Sequence, residues 1–262
     1  MADQHIRFDD GAAYEQLMGI WSRKAGDVFL DWLAPSRGLR WIDVGCGNGA
    51  FTELLVERCA PIEVQGIDPS EGQLAFARSR RAAGPVSFHQ GDAMALPFPA
   101  GGFDVAVMGL VIVFVPEPKK AIAEMVRVVR TGGTVATYMW DMLGGGFPLD
   151  PVHIEMRAMG LAPPRPSGMD ASRMEALRQL WTDAGLEAVE TREITVQRTF
   201  SGFDEFWAIN LKAPSIAPIV AAMESAQIEL LQSRVRARLP EANGGDVVCQ
   251  GRAHAIRGRR PK

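Results

Sequence analysis

Three carboxylates and one cluster of glycines carry the chemistry that is most directly readable. Asp43 precedes the bend Gly45-Cys46-Gly47-Asn48-Gly49. Asp68 lies nineteen residues beyond that bend, in Ile67-Asp68-Pro69, and Asp92 sits in Gln90-Gly91-Asp92-Ala93. Glycines let a backbone approach a ligand with no side chain in the way, and a helix opening after them presents its positive end to a negative group. Dinucleotide and phosphate sites use the same device. Here the spacing is G-x-G-x-G, with Ala50 where a dinucleotide fingerprint has its third glycine, and no Gly-Lys-Ser/Thr follows. A carboxylate at position 68 can accept from both hydroxyls of a ribose. Asp92 and the next backbone N–H match an adenine edge, the acid accepting from the exocyclic amine and the N–H donating to a ring nitrogen. Such a set suits a ligand with an adenosine and a cationic amino-acid tail better than a pyrophosphate. Each residue also has a plainer reading: a tight turn for Gly45 and Gly47, a helix cap for Asp68 in competition with Ser70, a turn cap for Asp92.

Catalytic groups are harder to find. His153 is either a general base or acceptor-orienting group, or a surface histidine on a covering helix. Asp141, after Trp140, is either a base or a cap. Cys46 reads as a packing residue, because no histidine neighbours it in sequence. His89 reads as structural. No His/Cys/Asp/Glu set has metal-ligand spacing, so no metal is expected. The stripe Phe203, Phe206, Trp207, Leu211 is either core or a substrate wall.

These residues need strands to hold them. Leu39–Val44, Glu63–Ile67, Val86–His89, Phe103–Met108 and Thr134–Trp140 read as strands. Phe51–Arg58, Ser70–Arg81 and Lys119–Val129 read as the helices between them, the last stopped by Gly132-Gly133. Alternation of this kind implies an open, doubly wound α/β sheet with parallel pairing, whose ligands bind at the carboxyl ends of the strands. Residues 1–38 read as a helical cover, with Tyr14, Leu17, Met18 and Trp21 at helical spacing. Beyond position 140 a helix is expected near Val152–Met159 and another over Ser172–Ala184. A strand over Leu186–Val196, helices within Phe200–Leu239 and a last strand over Val247–Ile256 complete the chain. Residues 141–170 and 200–245 read as lid insertions over a core at 39–140, and 246–262 as a terminal strand with a basic tail, all within one domain spanning 1–262.

The 262 residues are long enough for a full core, and 47 % hydrophobic with 23 % charged residues excludes a disordered chain or a small disulfide scaffold. The longest uncharged apolar run, the eleven residues Val105–Val115, is too short for a membrane helix. Met1-Ala2-Asp3-Gln4-His5 does not open a signal peptide, and three widely spaced cysteines suggest free thiols in a reducing, cytoplasmic setting. The net charge of −3 is uneven: residues 233–262 hold eight Lys/Arg against two Asp/Glu. That tail either touches a polyanion or forms the solvent face of a strand, and no aromatic residue interleaves with it.

The ordered set Val44-Gly45-Cys46-Gly47-Asn48-Gly49, Asp68-Pro69-Ser70, Gly91-Asp92-Ala93 and Arg130-Thr131-Gly132-Gly133 resembles the class I S-adenosylmethionine-dependent methyltransferases. The likeness is to the small-molecule group that includes the ubiquinone/menaquinone-biosynthesis type (methyltransferase type 11), and it is close over about residues 39–140. It implies a Rossmann-like sheet of seven strands with an antiparallel last strand, S-adenosylmethionine as cofactor and S-adenosylhomocysteine as product. By the same resemblance Asp43, Gly45 and Gly47 hold the methionine end, Asp68 the ribose, Pro69 packs by the adenine, and Asp92 and Ala93 read the base. The backbone around Met108 and Gly109 accepts from the methionine amino group. Tyr14, Trp21 and Arg23 close over the cofactor, Arg23 at the carboxylate. The implied reaction is in-line methyl transfer to a small, partly apolar acceptor, without nucleic-acid or membrane partners, in a monomer or homodimer. Departures are Thr131 for the usual proline, Gln73 for a frequent methionine, and Val113 for a histidine common after the fourth strand. A non-catalytic cofactor-binding module and an NAD-dependent oxidoreductase are the competing readings.

Overall fold

The computed structural model describes residues 15–80, 85–240 and 245–262. Seven strands form one sheet in the order β3-β2-β1-β4-β5-β7-β6. Arg40–Val44 (β1), Glu63–Asp68 (β2), Val86–Gln90 (β3), Phe103–Gly109 (β4) and Val129–Trp140 (β5) run parallel. Glu187–Phe200 (β6) and Val247–Arg259 (β7) complete the sheet, with β7 antiparallel to both β5 and β6. The central strands are buried nearly end to end because helices cover both faces, and apolar runs such as Val105–Met108 follow from that.

Helix α1 (Ile20–Leu33) continues a π-helical turn at Glu15–Gly19 and packs against α2 (Ala50–Cys59) and β6. Phe29 of α1 lies 4.7 Å from the Tyr138 ring of β5, and Trp21 meets Trp140 edge-on at 6.2 Å. Helix α3 (Glu71–Ser79) opens with Ser70 as its cap, the hydroxyl accepting from the Gln73 N–H at 3.3 Å. Helix α4 (Pro118–Val128) carries proline in its first turn, where no N–H partner is lost. It stops at Val128, earlier than Gly132-Gly133. Val129 already pairs with Phe103, and the next pair is Val105 with Thr134, so residues 130–133 form a bulge inside β5. Gly132 holds the bulge at φ +74° and donates to the Arg260 carbonyl, while Arg260 returns a bond to Gly133.

The first insertion contains α5 (Asp150–Ala158) and a 3-10 turn at Met169–Ser172, after which α6 (Met174–Asp183) packs on β6 and β7. The second contains α7 (Phe203–Asn210), α8 (Ala217–Ala221) and α9 (Ser225–Arg238). The strands β6 and β7 are longer than expected, because antiparallel pairing runs unbroken from Arg257 opposite Glu190 to Val247 opposite Phe200. Part of the basic tail pairs within the molecule: Arg234 and Arg238 clasp Glu155, Arg252 meets Asp141, and Arg257 meets Glu190. Among the described residues no helix is long and apolar enough to cross a membrane.

Candidate active site

A cavity of about 730 Å³ opens at the carboxyl ends of β1, β2, β4 and β5 and is roofed by both insertions. That is within the roughly 300–1,000 Å³ of small-molecule sites. Asp43, Gly45, Gly47, Asp68, Pro69, Asp92, Ala93 and Gly109 all line it. Parallel register explains the first acids: Asp43 pairs with Gly66 and Val44 with Ile67, so the last residues of β1 and β2 emerge together.

The glycine bend works through its backbone conformation. Gly45 sits at φ +76° and Gly47 at φ +52°, where other residues are strained. A Cβ on Gly45 would fall 2.6 Å from the Val111 side chain. The Gly45 and Cys46 N–H groups donate to the Ile67 carbonyl at 2.7 and 3.1 Å, so they tie β1 to β2. The Gly47 N–H donates to Asp68 at 2.9 Å, and the Ser70 N–H donates to the other Asp68 oxygen at 2.9 Å. Two lone-pair positions remain on that carboxylate for a ligand. Burial raises the Asp68 pKa, and these two N–H groups offset part of the rise.

Asp43 is 1 % exposed and accepts from the Thr52 hydroxyl at 2.6 Å. Burial pushes its pKa up to about 7; the Thr52 bond opposes this and the Asp68 charge adds to it. Asp92 accepts from the Met94 N–H at 2.8 Å, a turn-capping bond that accompanies its place on the cavity wall. Cys46 has its thiol pushed far up by burial, then by Asp43 and Asp68, which makes it inert. Cys46, Cys59 and Cys249 are all free and buried.

Four expected site residues stand away from the cavity wall, and one lies outside the described residues. Arg23 turns away: its guanidinium pairs with Glu57 and stands 3.7 Å from Glu53, both on α2. Trp21 is core, wedged on Trp140, and does not line the cavity; its α1 neighbours Leu17, Met18 and Ser22 do. Met108 is fully buried, with its carbonyl taken by the Thr137 hydroxyl at 2.5 Å, and only Gly109 of that pair reaches the wall. Asp141 is a cap. It accepts from the Gly144 N–H at 2.8 Å and pairs with Arg252 at 2.6 Å. Burial alone would raise its pKa, but the Arg252 bond, the Gly144 N–H and the nearby His254 hold it below the usual range. Tyr14 is the residue outside the described set.

His153 is buried in the roof and lines the cavity, with Nε2 3.0 Å from the Ser215 hydroxyl and its ring tilted over Phe147 at 5.7 Å. Burial, then Arg157 and Arg165, lowers its pKa to about 4, so it is neutral near pH 7. His89 bonds Gln65 at 2.6 Å and packs edge-on to Phe98. The Phe203–Trp207 stripe packs on itself at 6.0 Å and leaves the wall to Ala213, Pro214 and Ser215. Among the described residues no group of three or more His, Cys, Asp or Glu is placed to hold a metal.

Residues not singled out from sequence include Ser22, Asp150, Arg157, Arg165 and Ser215. Ser22 is 6 % exposed, and among the described residues its hydroxyl has no partner, although it borders the cavity. An orphaned buried hydroxyl on the wall of the same cavity as the acids suits a polar ligand. Its one sequence signal is a serine inside an apolar helical stripe.

Residues 42–137 match the family model described as a methyltransferase domain. Over that span the chain is similar to methyltransferase domains. Over 119 residues the chain is 40 % identical to 2-methyl-6-phytyl-1,4-hydroquinone methyltransferase 2 of Oryza sativa, covering 44 % of this chain and 33 % of that one. Over 130 residues it is 34 % identical to the demethylmenaquinone methyltransferase of Lactococcus lactis, covering 47 % and 52 %. The chain thus spans about a third to a half of the length of these curated relatives. Among solved structures, the Bacillus subtilis YcgJ protein shares the fold over 91 % of this chain and 98 % of its own, at a TM-score of 0.62 and 15 % identity.

Proposed function

We propose that the protein transfers a methyl group from S-adenosylmethionine to a small, partly apolar organic acceptor. The observation that carries this reading is the convergence of Asp43, Asp68 and Asp92 with the Gly45–Gly47 bend on one cavity that continues under an apolar roof. Asp68 suits the ribose hydroxyls, with two lone-pair positions still open. Asp92 and Ala93 suit the adenine edge, and Asp43 with the bend suits the cationic amino-acid end. The cofactor supplies an electrophilic methyl on a sulfonium. The chain's own residues then have to position the acceptor in line and exclude water, and orientation of this kind accounts for much of the rate in such reactions. His153, with a pKa far below neutral, is suited to orienting the acceptor more than to removing a proton, because a general base works best near the operating pH. Three buried free thiols fit a reducing compartment, and we place the enzyme in the cytoplasm.

Calorimetric titration of the folded protein with S-adenosylmethionine should show binding. Labelled methyl from that cofactor should then appear on a component of a metabolite extract. A folded protein that ignores the cofactor rules the proposal out. Binding without any methyl transfer leaves the non-catalytic module.

A further inference from the structure

The roof half of the cavity bears on the charge of the acceptor. Arg157 stands one turn beyond His153 on α5, on the same helix face, and Arg165 follows in the Pro164–Pro166 loop; both reach the cavity wall. Among the described residues neither guanidinium has an ion pair or a hydrogen bond, although Arg157 is partly buried. The nearby acids are otherwise occupied. Glu155 is clasped by Arg234 at 2.7 Å and by Arg238, and Asp141 is held by Arg252. Asp150, in the first turn of α5, is the acid that faces the two arginines; it accepts from the Phe147 N–H at 3.3 Å and feels both at longer range. Two positive charges therefore face one negative charge, and His153 is neutral. A charge drawn partly out of water without a partner is costly, so a ligand that supplies the partner is favoured.

We propose that the methyl acceptor is an anion: an apolar body bearing one carboxylate, its oxygens held by Arg157 and Arg165 and its body against Phe114, Phe147 and Met169. This rests on the methyl-transfer reading, because it names the substrate class of the same cavity. Guanidinium groups match a carboxylate in a two-point geometry. Phe114, 41 % exposed at the rim, is the apolar surface such a body would cover. One carboxylate neutralises the surplus charge, whereas a doubly charged phosphate would exceed it.

The test uses protein saturated with S-adenosylhomocysteine and titrated with 3-phenylpropionate, 3-phenylpropionamide or phenyl phosphate. The acid should bind at least about tenfold tighter than the amide, and added salt should weaken it. The Arg157→Gln/Arg165→Gln variant should lose that preference while keeping wild-type affinity for S-adenosylhomocysteine, and Arg157→Lys should retain part of it. If the double variant does not fold, Arg165→Gln alone, at an exposed loop position, serves as the test. Equal binding of acid and amide, no acid binding up to its solubility limit, tighter binding of phenyl phosphate, or a preference that survives the substitutions each overturns the proposal. Failure of S-adenosylhomocysteine itself to bind is measured first and overturns the methyl-transfer reading together with this one.

Discussion

The cavity has two halves of opposite character. The strand-end half is acidic and made of backbone bends fixed by parallel register: Asp43, Asp68, Asp92 and the Gly45–Gly47 turn. The roof half is basic and apolar: Arg157 and Arg165, with Asp150, His153 and Ser215, stand among Phe147, Leu149 and Met169 on helices and loops distant in sequence. One half is suited to a constant ligand that many proteins share and the other to a variable one. This division explains why the family model matches residues 42–137, where the strand-end half lies.

The largest difference between the halves should come from glycine substitution. Gly45→Val places a Cβ 2.6 Å from Val111 at φ +76°, so strain and overpacking together should cost about 2–5 kcal/mol and abolish cofactor binding. Gly145, in the roof at φ +78° with nothing within 4 Å of its would-be Cβ, should lose only about 1 kcal/mol as Gly145→Ala. Thermal melts of the two variants, read beside the unsubstituted protein, measure the contrast. Equal losses would mean that packing does not separate the halves.

Asp68→Ala should weaken S-adenosylmethionine binding by about 1–3 kcal/mol, through lost ribose bonds and unpaired Gly47 and Ser70 N–H groups. Asp150→Asn in the roof should leave that affinity at the wild-type level. Calorimetry on both variants decides this. An unaffected Asp68→Ala protein would remove the residue from the cofactor site.

Proton linkage should run in opposite directions in the two halves. The folded Asp43 has its pKa raised from 3.8 to about 7, so between those values the folded state holds more protons, and stability falls as pH rises. His153 is lowered from 6.5 to about 4, so the unfolded state holds more protons in that window, and stability rises with pH. At roughly 1.4 kcal/mol per pKa unit, the two contributions amount to at most about 4.5 kcal/mol for Asp43 and about 3.5 kcal/mol for His153, and they oppose one another between pH 4 and 6.5. Asp43→Asn should leave a stability that climbs with pH relative to wild type, and His153→Gln one that declines up to pH 7. Urea midpoints from pH 4.5 to 8 show this as two difference curves of opposite sign; parallel curves would contradict both assignments.

The same division decided what the sequence could reveal. Asp43 and Asp68 are legible because they stand at the ends of strands with visible apolar residues, beside glycines needed where φ is positive, and Asp92 because it follows the short strand that ends at Gln90. The roof left no such trace. Arg157, Arg165 and Ser215 come together only through packing of the insertions, and nothing periodic connects them. His153 reads from sequence more readily as a surface histidine than as a site residue, and only its burial against Phe147 and Ser215 brings it to the cavity. The start of β5 was misplaced because a bulge absorbs Gly132-Gly133, which in sequence looks like an end. The direction Arg23 takes is not legible in the sequence, because a cation on a covering helix near the bend looks the same whether it faces a ligand or α2.

Arg23 therefore supplies the smallest predicted effect. Its side chain is 45 % exposed and joined to Glu57 and, at 3.7 Å, to Glu53. Exposed pairs of this type are worth about 0–1 kcal/mol after solvent screening. Arg23→Ala should lower stability by no more than that, lose the effect at high salt, and leave the S-adenosylmethionine dissociation constant unchanged. If that constant rises severalfold while the melting temperature holds, α1 must rearrange when the cofactor enters, bringing Arg23 inward. The acidic half would then be assembled partly by its ligand, and its rigidity would no longer distinguish it from the roof.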